Sequence, residues 1–364
     1  MSLFTDHPRA RWAAPVAAVA AVAAGTLATN LTASADPDLP PRTAAQLLVD
    51  VQRAQLAHLS GTVVQSADLG LPDLSVLGGG AGGSTSLQSV VAGTHTWRVW
   101  YGGEQQQRLA LVGSLGESDV VRNGRDVWLW SSDDRTAVHY RLPEHDESDT
   151  PVPGPTDLPV TPEQAAERAL AALDPTTKVT TSGAAVVAGR DAYELVLTPR
   201  DSSSLVASVR ISVDAERHLP LRVRAYSTKR PNPAFEVGFT SIDFVRPEAR
   251  QFTFNPPPGT TVTEGRAPAK PAAPTRPEGA GAPTVVGRGW GAVAVGSLPP
   301  GALSSGSGDA QAQGLLRSLP RVSGAWGSGR LLAGTLFSAV LTDDGRYAVG
   351  AVTPERLYAA LAAK

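Results

Sequence analysis

The sequence predicts an α+β protein: a curved antiparallel β half-barrel of about 11 strands enclosing two helices, followed by a small C-terminal α+β domain. Three observations support this fold class. An amphipathic helix over residues 43–60 leads directly into a strand. A long series of short segments then alternates between apolar and polar residues, and a second helical segment interrupts this series near its middle.

The first helix is apolar on more than one side. It opens with the capping-box pattern Thr43-Ala-Ala-Gln46, in which the hydroxyl and the amide can satisfy each other's backbone donors. Leu47 and Val51 lie on one broad apolar face, and Leu56 lies nearly opposite. A helix of this kind must be covered from two sides, as it would be in the trough of a curved sheet.

The segments that follow this helix are predicted to form a meander. A strand ends near Ser66, and a glycine-rich loop at 78–83 follows it. Gly102-Gly103 and Asn123-Gly124 indicate tight hairpins because these residues accept positive φ. The predicted antiparallel strands are 87–92, 96–101, 108–113, 118–122, 126–131 and 136–142.

A second helix and a second series of strands complete the predicted half-barrel. Thr161-Pro-Glu-Gln164 is another capping box, and the helix ends at Asp174 before a proline. Ala166 and Leu170 belong to its small apolar stripe, which needs a larger partner. The later predicted strands are 184–188, 192–198, 205–214, 219–227, 235–245 and one near 251–254. Their alternation predicts one dry face and one wet face.

Composition divides the chain into four parts. We expect a signal peptide or N-terminal membrane anchor at 1–35, the half-barrel at 36–257, a Pro/Ala-rich linker at 258–284 and the small domain at 285–364. The last part contains a strand near Val293, a short helix at 310–319, a hairpin at 343–345 and a final helix.

The N-terminal residues have the order of a secretory signal peptide. Arg9 and Arg11 precede an apolar run at 13–27, and Ala33-Ser34-Ala35 matches a cleavage site. We therefore expect export across the cytoplasmic membrane into the cell envelope. The alternative is an uncleaved anchor, although the apolar run is short for a full span.

Composition and motifs argue against several classes of function. The net charge of −2 gives no basis for nucleic-acid binding, and the absence of cysteine excludes disulfides, thiol catalysis and a lipid anchor on cysteine. The sequence contains no G-x-S-x-G, no P-loop, no H-E-x-x-H and no dinucleotide-binding motif between a strand and a helix. We therefore predict a protein that is not an enzyme and needs no cofactor.

Two histidine positions are candidate sites. His139 with Glu144, His145 and Asp146 has no standard metal spacing, so a solvated loop is the preferred interpretation and no metal is predicted. His58 is expected to be a hydrogen-bonded core histidine rather than a ligand or base.

The best candidate site is an apolar surface. Ordinary core packing and a lipid cavity both explain its residues, and the functional hypothesis assigns them to a cavity closed by the first helix. The predicted lining is Leu47, Val51, Trp97, Tyr101, Leu109, Leu111, Trp128, Trp130, Tyr193, Leu195, Leu197, Val209, Ile211, Val213, Val223 and Phe239.

Four stretches carry a resemblance to a known family: LSGTVVQSADLGLP, GESDVVRNGRDVWLW, GRDAYELVLTP and FEVGFTSIDF. Residues 40–257 resemble the bacterial envelope carriers of the LolA/LppX superfamily, including the N-terminal domain of RseB/MucB. The resemblance implies a half-barrel whose concave apolar face holds acyl chains under a lid of helices. The chain departs from LppX-like carriers in lacking the anchoring cysteine, and from LolA in its extra C-terminal residues.

These observations lead to two functional hypotheses. The first is an exported envelope protein that binds the acyl chains of a lipid or lipoprotein. The alternative, implied by the resemblance to RseB, is a regulatory sensor that binds a membrane-anchored anti-sigma factor.

Overall fold

The computed structural model describes residues 39–70, 93–113, 116–142, 161–171, 175–265, 283–298, 314 and 316–363. Within them, a 12-stranded open sheet and a six-stranded sheet account for most of the secondary structure. The large sheet is curved, does not close into a barrel and holds two helices against one face. The predicted α+β half-barrel with a small second sheet is confirmed.

The large sheet is built around its first strand. Its order is β12-β6-β5-β4-β3-β2-β1-β11-β10-β9-β8-β7, and all neighbouring pairs are antiparallel except β12–β6. The first eleven strands are β1 Leu59–Ala67, β2 Gly93–Gly103, β3 Gln106–Val112, β4 Glu117–Asn123, β5 Asp126–Ser131, β6 Thr136–Arg141, β7 Thr177–Val187, β8 Arg190–Pro199, β9 Val206–Asp214, β10 Pro220–Ser227 and β11 Pro233–Asp243. Two meanders, β1–β6 and β7–β11, meet in the β1–β11 ladder.

The first helix, α1, is shorter than the sequence predicts. It spans Ala44–Arg53, and the capping box between Thr43 and Gln46 is present. Ala54 leaves helical geometry at φ −58° and ψ 129°, and Leu59 already belongs to β1. Residues 54–60 therefore do not continue the helix, because 59–67 form a central strand with ladders to both β2 and β11.

The second helix, α2, spans Pro162–Ala171 and packs on the same face of the sheet as α1. It lies against β10 and β11, whereas α1 lies against β7 and β8. We call this helix-covered face the concave face and the other the convex face. The glycine-rich loop predicted at 78–83 lies outside the described residues.

The chain leaves β11 and crosses the convex face to the far edge of the sheet. A 3₁₀ helix at Ala249–Phe252, where a strand was predicted, contacts β3 and β4. Phe252 is 1% exposed and packs beside Gly102, whose missing Cβ leaves room for the phenyl ring. Strand β12, Thr261–Gly265, then pairs in parallel with β6, so five residues of the predicted linker extend the sheet.

The second sheet has the order β13-β14-β18-β17-β16-β15 and packs against helix α3, Pro354–Ala362. Its strands are β13 Thr284–Val286, β14 Val293–Ser297, β15 Arg321–Gly324, β16 Gly327–Ala333, β17 Ser338–Thr342 and β18 Arg346–Gly350. The hairpin predicted at 343–345 joins β17 to β18. Of the helix predicted at 310–319, residues 314 and 316–318 are helical, and part of the remainder lies outside the described residues.

Hydrogen bonds join the two sheets directly. Ser204 and Val352 form an isolated antiparallel bridge, and the hydroxyl of Ser227 donates to the carbonyl of Thr335 at 2.7 Å. In the part of the chain that is described, no helix combines the length and apolarity that a membrane crossing requires. The predicted signal segment 1–35 lies outside that part.

Candidate ligand-binding site

The concave face brings together most of the residues predicted to line a cavity. Fourteen of the sixteen belong to one apolar cluster or pack against it. Cross-strand pairing explains this: Leu197 faces Val209, Leu195 faces Ile211, and Val213 faces Tyr193. The members are Leu47, Val51, Trp97, Tyr101, Leu109, Leu111, Tyr193, Leu195, Leu197, Val209, Ile211, Val213, Val223 and Phe239.

Trp128 and Trp130 do not line the concave face, so the prediction that grouped them with the other fourteen is wrong for these two residues. Trp128 is paired with Val121 on β4 and with His139 on β6, and all three side chains point to the convex side. There Trp128 stacks on His139 with ring centroids 4.3 Å apart, and both tryptophans contact Phe254. These indoles lie on the convex face, where Phe254 of the segment that follows β11 packs against them.

The register also shows concave residues that the sequence did not single out. Val120, Leu129 and Val138 continue the row of Leu109 across β4, β5 and β6. Leu129 and Val138 are half-buried, and neither is part of the main apolar cluster. The apolar surface therefore extends beyond the strands that α1 and α2 cover.

Helices and side chains fill the centre of the concave face. Leu47 of α1 is 0% exposed, and Ala166 and Leu170 of α2 are equally well buried in the same cluster. The hydroxyl of Tyr193 donates to the carbonyl of Pro40 at 2.9 Å, which fixes the segment before α1 over β8. At this place the apolar residues act as a core.

A pocket of about 420 Å³ opens between the two helices and the start of β10. This volume falls in the range of about 300–1,000 Å³ that is usual for small-molecule sites. The lining residues are Val51, Gln52, Ala54, Glu163, Ala166, Glu167, Leu170, Leu219 and Pro220. Of these residues, the sequence predicts only Val51 as cavity lining. Ala166 and Leu170 belong to the apolar stripe of α2, which the sequence predicts to pack against a larger apolar surface.

The mouth of this pocket is acidic. Glu163 and Glu167 lie four residues apart on α2, where neighbouring like charges repel each other. The pKa of Glu163 is raised, first because its surroundings desolvate the carboxylate and second because Glu167 is close. Desolvation also raises the pKa of the Tyr101 phenol, with smaller contributions from Glu104 and Glu163. The pocket therefore combines apolar walls with the carboxylates of two glutamates.

The pocket and the second sheet occupy opposite ends of β10. Pro220, at the beginning of the strand, lines the pocket, whereas Ser227, at its end, binds Thr335 of the second sheet. Near the second sheet, Trp290 and Leu336 pack against the edge of the main apolar cluster. The second sheet thus covers the end of the trough remote from the pocket.

No grouping of residues suited to a metal ion occurs in the described ranges. His139 instead lies between two carboxylates: its Nε2 is 2.9 Å from Asp126 and its Nδ1 is 3.0 Å from Glu264 of β12. Glu144, His145 and Asp146 lie outside the described residues. His58 is half-buried between α1 and β1 rather than on the helix.

The half-barrel holds two helices in its trough, and a pocket opens between them. Residues 86–252 match the sequence model of the MucB/RseB N-terminal domain family. The match lies within the predicted half-barrel and confirms the resemblance to the LolA/RseB-like superfamily.

The chain also resembles solved structures at low identity. For the MucA/MucB complex of Pseudomonas aeruginosa, the identity is 16%, the TM-score 0.42, and the alignment covers 87% of this chain and 96% of that one. For an uncharacterized conserved protein from Thermus thermophilus, the identity is 13% and the TM-score 0.33, and the alignment covers 61% of this chain and 99% of that one. For a LolA superfamily protein from Nitrosomonas europaea, the identity is 13% and the TM-score 0.22, and the alignment covers 59% of this chain and 99% of that one. A search of curated proteins gave no significant match.

Proposed function

We propose that this chain is an exported envelope protein that binds acyl chains of a lipid or lipoprotein in its half-barrel. The observation that carries the proposal is the pocket of about 420 Å³ between α1, α2 and β10. Its apolar walls include Val51, Leu170 and Leu219, and it opens beside a concave face that is apolar across most of the sheet.

The energetics of an apolar site are sufficient for this function without a polar anchor. Burial of about twelve methylenes is worth roughly 10 kcal/mol at about 0.8 kcal/mol each. Loss of translational freedom and ordering of the chain take back several kcal/mol. Net micromolar binding remains, and such a site selects ligands by length and volume more than by hydrogen bonds.

The test is binding of a neutral single-chain amphiphile, dodecyl maltoside, at monomeric concentration, followed by native mass spectrometry. Val51→Trp fills the pocket from the half-exposed last turn of α1 and should abolish the bound mass. Val285→Trp is the matched control, since Val285 is 63% exposed on β13 in the other sheet. Equal binding by both variants would contradict the pocket as the site.

The second candidate function is MucB-like regulation through a membrane-anchored anti-sigma factor. The match of residues 86–252 to the MucB/RseB N-terminal domain favours it, and MucB itself has been crystallised with MucA. Capture of an anti-sigma factor from solubilised membranes by the purified protein, with no lipid in native spectra, would favour the sensor over the carrier.

The proposal includes the division of the chain. Residues 36–257 would form the binding domain, residues 258–284 the connection that contributes β12, and residues 285–364 the covering domain. The superfamily resemblance supports an extracytoplasmic location. Cleavage near Ala35 would be read directly from the mass of the protein recovered from the cell envelope.

A further inference from the structure

The pocket between α1 and α2 has a distinct electrostatic character. Its wall contains two carboxylates, Glu163 and Glu167, and one amide, Gln52. Among the described residues that line it there is no lysine, arginine or histidine. Neither glutamate forms an ion pair with another described residue.

The end of α1 contributes backbone carbonyls to the same pocket, and Arg53 in its last turn carries the opposite charge. The helix ends at Arg53, and Val51, Gln52 and Ala54 of its last turn and C-cap line the pocket. Backbone carbonyls in the last turn of a helix have no intrahelical donor, and together they act as a partial negative charge. The pocket is thus bordered by carboxylates from one helix and by the carbonyl end of the other.

Apolar side chains lie beside the two exposed carboxylates. Ala166 and Leu170 are nearly fully buried, and Leu219 is 7% exposed. Charges beside such a surface interact more strongly than charges in bulk water. A bound anion, including a fatty-acid carboxylate, would meet repulsion here, whereas a cation would be attracted.

We propose that the pocket selects an amphiphile whose acyl or alkyl chain carries an ammonium headgroup. The chain lies on the apolar walls formed by Val51, Leu170 and Leu219, and the ammonium group donates hydrogen bonds to Glu163 and Glu167. This inference rests on the proposed binding function, and it adds the chemical class of the ligand. Both glutamates are exposed on α2, where they line the same pocket as these apolar residues.

The experiment compares dodecylammonium with dodecanoate, two probes of equal chain length and opposite charge, with dodecyl maltoside as the neutral reference. Calorimetry at pH 7.5 and low salt should give dodecylammonium at least about tenfold tighter binding than dodecanoate, because charge-assisted hydrogen bonds contribute only for the cation. The double variant Glu163→Gln, Glu167→Gln should remove this preference while its far-ultraviolet circular dichroism spectrum stays that of the wild type. Glu104→Gln removes an exposed carboxylate that does not line the pocket, and it should keep the preference.

The outcomes separate the inference from the proposed function. Equal binding of the two charged probes, or a preference that survives the double variant, would overturn the ammonium specificity while acyl binding stands. Failure of all three probes to bind a folded protein would overturn both. An unchanged circular dichroism spectrum shows that the double variant is folded.

Discussion

Asp119 on β4 gives the sharpest test of the electrostatics of this fold. Its side chain is 2% exposed on the convex face, and Arg108 donates to one of its oxygens at 2.5 Å. Burial raises the pKa of Asp119 from 3.8 to about 6, while Arg108 lowers it and the charge of Glu117 raises it. The carboxylate is therefore less stable in the folded protein than in the unfolded chain, despite its arginine partner.

The sign of the pH dependence follows from this direction. Because the folded protein binds the Asp119 proton more tightly, the contribution to stability is complete below about pH 4 and is lost as the pH rises through about 6. Raising the pKa by roughly two units, at 1.36 kcal/mol per unit, corresponds to about 3 kcal/mol of unfolding free energy. Asp119→Asn should remove this pH dependence, since the amide stays neutral.

The assay is urea denaturation between pH 4.5 and 7.5, read as the difference in unfolding free energy between the wild type and the variant. Taking the difference removes the opposite contributions of carboxylates with lowered pKa, such as Asp201 and Asp344. Glu216→Gln is the control, because Glu216 is 78% exposed. A difference between wild type and Asp119→Asn that stays constant across this range would refute the argument.

Three further substitutions test the packing. Asp214→Ala should lower the free energy of unfolding by about 3 kcal/mol, because the buried carboxylate accepts hydrogen bonds from Arg190 and from two turn amides. A smaller loss than that of the exposed-site variant Glu216→Ala would contradict this prediction. Ser227→Ala should lower the free energy of unfolding by about 1–3 kcal/mol in denaturant titrations, because the carbonyl of Thr335 loses the buried hydroxyl that donates to it. A loss no larger than that of the exposed-site variant Glu216→Ala would count against this contact as a tie between the sheets. Leu47→Ala should cost about 2–5 kcal/mol in denaturant titrations by leaving a cavity under α1, and a loss under 1 kcal/mol would mean that α1 is loosely attached.

Local patterns were enough to predict the half-barrel. The capping box at Thr43 and the Asn123-Gly124 turn are determined by neighbouring residues, and both are present in the structure. The end of α1 was missed because residues 54–60 carry apolar spacing that also suits a helix. Only the ladders of β1 with β2 and β11, which are distant in sequence, select the strand there.

The site was less predictable than the fold. Alternation indicates that Trp128 and Trp130 share a face, but the hairpin pairing Asn123 with Asp126 decides which face of β4 they join. The pocket forms where the end of α1, helix α2 and the start of β10 come together in space. These segments are far apart in sequence, so no local sequence pattern predicts their contact. Strand β12 was missed because it lies in a region rich in proline and alanine, where only the available edge of β6 makes it a strand.

The central position of β1 has a consequence for biogenesis. This strand is made early, yet its second neighbour, β11, is made only after nine other strands of the same sheet. Until then one row of its amide and carbonyl groups, beside the apolar side chain of Val63, has no native partner. A nascent chain held open for that long exposes an unpaired strand edge and is vulnerable to aggregation.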